Sequence, residues 1–200
     1  LAPVPFSSSV YLFTEAIINY ANEEIKSNIL PKLVNGEVIG TFAVAEEMKA
    51  PSADNINLSS NNGKLNGVKI AVPDAEVATH AIVVAKTDNG ISLQLVDLSS
   101  DGITIEKQEN IDESRGYFSI SFENVDSQLI GDETGGWNLY EFLINQAAVL
   151  FGYEQIGGSQ AALDMAINYA KERYAFGRQI GSFQAIKHKL ADMYIALTLA

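Results

Sequence analysis

Apolar residues recur at helical spacing through residues 7 to 34, SSSVYLFTEAIINYANEEIKSNILPKLV, with Val10, Phe13, Ile17, Ile18 and Tyr20 near one face. The spacing predicts a helix pair. Ser7 to Ser9 offer N-caps, and Pro31 suits the start of a final short turn, where its missing N–H does no harm. Such a pair is marginal by itself, so its apolar face is expected to lie on another part of the fold.

Between residues 39 and 131 the period changes. Short β-branched runs (IGTFAVA, HAIVVAK, ISLQLVDL, ITIEK, YFSISFENV) alternate with Asn-Gly, Asp-Gly and polar clusters. TDNGISLQLV reads as a hairpin closing on Asn89-Gly90. YFSISF alternates strictly, as a strand does with one face on a core. Strands at this spacing predict an antiparallel barrel or sandwich.

From Gly135 the helical period returns for about 35 residues, on the order of 50 Å. Leu139, Phe142, Leu143, Ala147, Leu150 and Phe151 occupy much of its circumference, a breadth that calls for burial between other helices. A further helix is predicted over 182–200. The fold class is therefore α+β, in three zones: helical residues 1–38, a β-domain over 39–134, and long antiparallel helices from 135 to 200. The last helix carries no stop signal at ALTLA and the chain opens on Leu1, so helices before and after these residues are expected.

Charge narrows the function. With 25 acidic against 13 basic side chains the net charge is −12, which opposes binding of nucleic-acid phosphates. The chain has no cysteine, so thiolate chemistry, disulfides and Cys-ligated zinc are excluded. Its two histidines, His80 and His188, lie far apart, so a metal site would have to lean on carboxylates. No apolar run approaches the ~18 residues of a membrane span, and no basic-then-apolar leader is visible; a cytoplasmic protein without membrane or nucleic-acid partners is expected.

The stretch RYAFGRQIGSFQAIKHKLADM, residues 173 to 193, interrupts two helical patterns with two arginines, an aromatic ring and two glycines. One reading is an anion site beside a ring system: Arg173 supplies a fork of donors, Phe176 an apolar face, and Gly177 close backbone approach. The other is an αα-corner with glycine as C-cap and arginine at the helix C-terminus. Gln184 and His188 share one face a turn apart, suited to a ligand or to solvent. His80, at a strand start, reads as a surface or edge residue. The glycines of GGSQ (157–160) lie within helix, where close helix packing explains them better than a phosphate loop. Asp164 and Glu172 read as helix-solvating carboxylates.

Taken in order, the elements resemble the acyl-CoA dehydrogenase family over essentially the whole chain. VNGEVIGTFAVAEE is similar to the entry into that family's middle β-domain, LNGVKI to its Asn-Gly-x-Lys hairpin, and ISFENVDSQLIGDETGGW to the exit. GGSQAALDMAINYAKERYAFGRQIGSFQ is similar to the first C-terminal helix and its corner. The resemblance implies FAD-dependent α,β-desaturation of an acyl-CoA thioester, with electrons passed to an electron-transfer flavoprotein. It implies that Arg173 binds the FAD pyrophosphate of a neighbouring subunit, with Phe176 and Gln184 against the same cofactor, in a homo- or hetero-oligomer.

The departures from the family pattern concern the chain's own chemistry. Ala45 stands where the family usually has a threonine, and Ala71-Val72-Pro73 where it has a Trp-Ile-Thr covering the flavin. Its Gly-Ser-Asp loop is only echoed in APSAD. Asn145 and Ala148 occupy positions of acyl-CoA contacts, and Ala147 the position of one branch's base; the commoner base falls beyond residue 200. Two flavin readings follow: a dehydrogenase subunit, or a catalytically silent partner that helps to bind an active subunit's FAD. A helical packing module without cofactor is a third.

Overall fold

The computed structural model describes residues 4–112 and 114–200. They fall into two compact units, one ending at Ala147 and the other spanning Ala148–Ala200.

The first unit opens with a π-helical segment, Ser7–Thr14, followed by α1 (Glu15–Tyr20) and α2 (Glu23–Val34). The wider π-turn rotates the apolar face: Phe13 and Ile17 are buried, whereas Val10 and Ile18 point outward. The three serines do not serve as N-caps. Ser7 and Ser8 are instead buried and bonded to Arg115 and Asp74. The cap proper is Asn22, whose side chain accepts the Ile25 amide at 2.8 Å and starts α2. α2 passes through Pro31 without restarting, because only one intrahelical donor is missing there.

Eight strands follow among the described residues: β1 (Gly40–Ala43), β2 (Ser59–Asn61), β3 (Lys64–Pro73), β4 (His80–Thr87), β5 (Gly90–Asp97), β6 (Ile103–Gln108), β7 (Tyr117–Asp126) and β8 (Gln128–Ile130). Their order is β6-β7-β3-β2-β4-β5-β8, mostly antiparallel, with β1 laid parallel on β4. The β4–β5 hairpin turns on Asp88-Asn89 rather than on Asn89-Gly90. Thr87 Oγ1 accepts the Asn89 and Gly90 amides at 3.2 and 3.1 Å, and Gly90 already pairs with Thr87.

Alternation along β4 sorts its side chains into two cores. Ile82 and Val84 join Phe13, Ile17, Ile25, Ile29, Leu93 and Leu143 beneath the helices. Ala81, Val83 and Ala85 face Leu65, Val72, Phe118, Ile120 and Phe122 inside the folded sheet. A run of five buried residues thus marks a strand covered on both faces.

The long helix α3, Gly136–Glu172, begins in this unit and continues into the second, where it is followed by β9 (Tyr174–Ala175), β10 (Arg178–Gln179), a 3-10 turn Ile180–Ser182 and α4 (Gln184–Leu199). Along residues 148–200 many apolar side chains are exposed, among them Val149, Tyr153, Met165 and Ile195. An added Cβ at Gly157 or Gly158 would meet nothing within 4 Å, so close packing of these glycines is not made within the described residues. No helix among the described residues is long and apolar enough to cross a membrane.

Candidate functional site

The interruption at 173–183 is a β-hairpin of the smallest kind. The Arg173 amide still donates to the Tyr169 carbonyl, ending the α3 ladder. Ala175 then pairs with Arg178 and Tyr174 with Gln179, leaving a two-residue turn of Phe176-Gly177. Both turn residues have positive φ, +51° for Phe176 and +76° for Gly177, the pairing of a type I′ turn. Gly177 is therefore a turn residue and not the C-cap of α3. The hairpin is closed by the Ile180 amide donating to the Arg173 carbonyl at 2.8 Å. Gly181 sits against the last turn of α3, where a Cβ would lie 2.8 Å from the Ala170 carbonyl oxygen.

Asparagine or glycine is the usual first residue of such a turn, whereas a phenylalanine there is strained by about 1 kcal/mol. Strain of this kind persists where the presented group has a use. Phe176 is 96% exposed. Its ring forms a T-shaped pair with Phe183 at 6.3 Å between centroids, and the Arg178 guanidinium lies over the Phe183 ring at 4.0 Å. Arg173 and Gln184 are exposed on the same short segment. α4 begins at Gln184 with no side-chain cap, so its N-terminal partial positive charge adds to that of the two arginines. The corner joins cationic forks, an open aromatic face and an uncapped helix start, a combination suited to an anionic group attached to a ring system. His188, one turn beyond Gln184, is exposed as well. Phe183 escaped the sequence reading because a cation and a ring five residues apart match no helix or strand period.

In the first unit the structure shows a site that the sequence reading passed over. Lys69 has no exposed side-chain surface; its Nζ donates to Glu46 Oε1 at 2.7 Å and to the Val44 carbonyl at 2.9 Å. Glu46 in turn accepts the Asn57 and Leu58 amides at 2.8 and 3.0 Å. Burial lowers the ammonium pKa to about 8, with the bond and charge of Glu46 opposing the shift. The clue was available: Lys69 is in phase with the inward Leu65 on β3. Beyond it the strand bulges, and Ala71 takes φ +51° with its amide bonded to Gln108 Oε1 at 2.7 Å. Val72 points into the core, and the Pro73 carbonyl accepts from Thr41 Oγ1 at 2.6 Å. The Ile70 amide is held by the Ala45 carbonyl at 2.8 Å. Asp74, also at positive φ, binds Arg115 and Ser8, tying the end of β3 to the first helical segment.

His80 is half-buried at the start of β4, and its Nδ1 lies 3.0 Å from Thr79 Oγ1. Burial lowers its pKa, with Asp97 opposing. Asp164 accepts from Gln160 on an exposed stretch of α3. On the same helix Asn145 and Ala148 are exposed and Ala147 is fully buried.

Residues 134–200, which include the hairpin, match the family model described as acyl-CoA dehydrogenase, C-terminal domain. An acyl-CoA dehydrogenase of Bacillus subtilis is 32% identical over 197 residues, covering 90% of this chain and 51% of the relative. The chain is similar to acyl-CoA dehydrogenases along nearly its whole length. The human mitochondrial short-chain specific acyl-CoA dehydrogenase is 30% identical over 94% of this chain and 49% of its own length. The solved structure of butyryl-CoA dehydrogenase from Megasphaera elsdenii superposes with a TM-score of 0.91 at 26% identity, covering 98% of this chain and 55% of that one. The chain thus spans about half the length of the acyl-CoA dehydrogenases it matches.

Proposed function

We propose that this chain is part of an FAD-binding acyl-CoA dehydrogenase subunit acting in the cytoplasm, with an acyl-CoA thioester as substrate and an electron-transfer flavoprotein as electron acceptor. The observation that carries the proposal is the strained Phe176-Gly177 hairpin, which sets an open ring between two arginines at an uncapped helix start. These residues fit FAD: Arg173 would hold a pyrophosphate oxygen pair through its guanidinium fork, Phe176 would pack on the cofactor's ring or ribose, and Gln184 would hydrogen-bond to it. The corner would serve the flavin of a neighbouring subunit, in a homo- or hetero-oligomer whose subunits divide as residues 1–38, 39–134 and 135 onward. Bound FAD supplies the acceptor for hydride from the acyl chain. The contribution of residues 1–200 is to bind, orient and exclude water; no side chain among them is assigned the role of catalytic base.

A second reading has an observation of its own. The Ala71 amide is taken by Gln108, Val72 is turned into the core and the Pro73 carbonyl is bonded to Thr41. The end of β3 therefore offers a flavin little beyond a methyl group. This favours a subunit that helps to hold its partner's FAD while lacking chemistry itself. Purification of the full-length protein alone and with candidate partner subunits separates the readings. Visible flavin absorbance in the protein alone supports the dehydrogenase, colour only in a hetero-complex supports the silent partner, and no colour in any combination overturns both. Arg173→Ala is expected to weaken FAD retention by about ten-fold or more, the scale of a charge-assisted hydrogen bond. Unchanged flavin content would remove Arg173 from the site.

A further inference from the structure

Phe176 is held in a left-handed conformation that its side chain disfavours, yet the hairpin that holds it has only two paired residues on each side. An isolated hairpin of this size does not sustain such a turn. Something else must fix the tip, and the contacts identify it. The Phe183 ring receives Arg178 on its face at 4.0 Å and meets the Phe176 ring in a T-shaped pair, with the two rings at 88°. Phe183 is itself half-buried and anchored: its amide donates to the Ile180 carbonyl at 3.1 Å, and its carbonyl accepts the Ile186 and Lys187 amides at the start of α4. The ring is thus tied to the helix while touching both sides of the hairpin tip.

We infer that Phe183 is a positioning residue, a ring platform that pre-orders the tip so that Phe176 and the Arg178 guanidinium are already in place when an anionic, ring-bearing ligand arrives. The inference rests on the reading of the corner as an FAD site. Arg178 Cζ lies 4.0 Å from the centre of the platform, a contact that limits the side chain's motion. That makes Arg178 a second cation of the site beside Arg173. Pre-ordering matters here because a flexible hairpin would lose its freedom on binding and weaken affinity accordingly.

The test uses the full-length protein, as purified and after removal of flavin. Hydrogen exchange is followed at the Arg178 and Ile180 amides, the latter bonded to the Arg173 carbonyl. Phe183→Leu keeps apolar bulk but removes the π-face, and is expected to speed exchange by about five- to ten-fold with or without flavin, given the usual strength of a cation–π contact and an aromatic pair. Phe183→Tyr keeps the ring and is expected to stay within about two-fold of the parent; Arg178→Gln should fall between them. FAD affinity should follow the same order. Unchanged exchange in Phe183→Leu, or equal damage from Phe183→Tyr, would overturn the platform. Faster exchange in Phe183→Leu with unchanged FAD affinity, while Arg173→Ala loses flavin, would overturn its positioning role. Full flavin retention in Arg173→Ala would instead overturn the FAD reading, leaving the exchange data to judge the platform.

Discussion

Lys69 keeps its ammonium group out of water with only two acceptors, Glu46 Oε1 and the Val44 carbonyl. Removing one partner of a buried pair leaves the other uncompensated, so Lys69→Met is expected to destabilise the full-length protein by about 3 kcal/mol at neutral pH. Adding Glu46→Gln should recover part of that loss, since the orphaned charge goes; denaturant unfolding measures both. The pH dependence has a definite sign. The folded-state pKa is lowered to about 8 from an ordinary value of 10.5, so below pH 8 both states are protonated and the burial penalty is present in full. Between about 8 and 10.5 the unfolded chain binds the extra proton, and stability rises with pH by about 1 kcal/mol per unit. The gap between parent and Lys69→Met should therefore widen over that window; a gap that stays flat would show that Lys69 titrates normally. The sequence shows this lysine in phase with Leu65. It does not show that Glu46, 23 residues earlier, reaches the same point, because that meeting depends on β1 and β3 being brought together by the fold.

At the level of elements, the periodicities located most of the structure. Strict alternation in YFSISF became β7, the helical spacing after Gly135 became α3, and the breadth of apolar cover on β4 reflects its two buried faces. The failures share a cause: each was a place where contact with a distant element set local geometry. Ser7 and Ser8 look like caps but are claimed by Arg115 and Asp74. Asn89-Gly90 looks like a turn, yet Thr87 Oγ1 moves the turn back by one residue. Ala71 carries no mark of a left-handed residue. In the candidate site Arg173, Phe176 and Gln184 were legible as a basic, ring-bearing corner, while the hairpin joining them was not, since Phe-Gly is a poor I′ turn sequence. That mismatch is testable. Phe176→Asn supplies the preferred turn residue but gives up the contact with the Phe183 ring, two effects of similar size, so exchange at Ile180 should stay within about three-fold of the parent while FAD affinity falls. Undiminished FAD affinity would separate Phe176 from the cofactor. Gly40 tests the helix–sheet core in the same way. A Cβ there would lie 2.0 Å from the Phe13 ring, so Gly40→Ala should lower stability by about 1–3 kcal/mol through displacement of that ring. Thermal unfolding at the parental midpoint would exclude the contact.

Charge and apolar exposure are distributed unequally over the whole chain. Residues 1–147 hold 21 acidic and 8 basic side chains, whereas residues 148–200 hold 4 and 5. Ala148, Val149 and Leu150 carry no charge, so the near-neutral part extends over residues 148–200, and its helices expose Val149, Tyr153, Met165, Tyr169, Ile195 and Leu199. Net charge keeps like molecules apart only where it resides, so nothing electrostatic shields these helix faces from one another. Exposed apolar side chains recurring along helices in this way are suited to association. Residues 1–200 produced by themselves are therefore expected to sediment above 21.6 kDa at micromolar concentration, with association strengthened by sulfate, which favours burial of apolar surface. Replacing Val149 and Ile195 together with glutamate should return the chain toward the monomer, since two charges would have to be buried unpaired at each contact. Replacing exposed acids of residues 1–147 should leave the association in place. A monomer at tens of micromolar, in sulfate as well as in dilute buffer, would show that these faces do not associate.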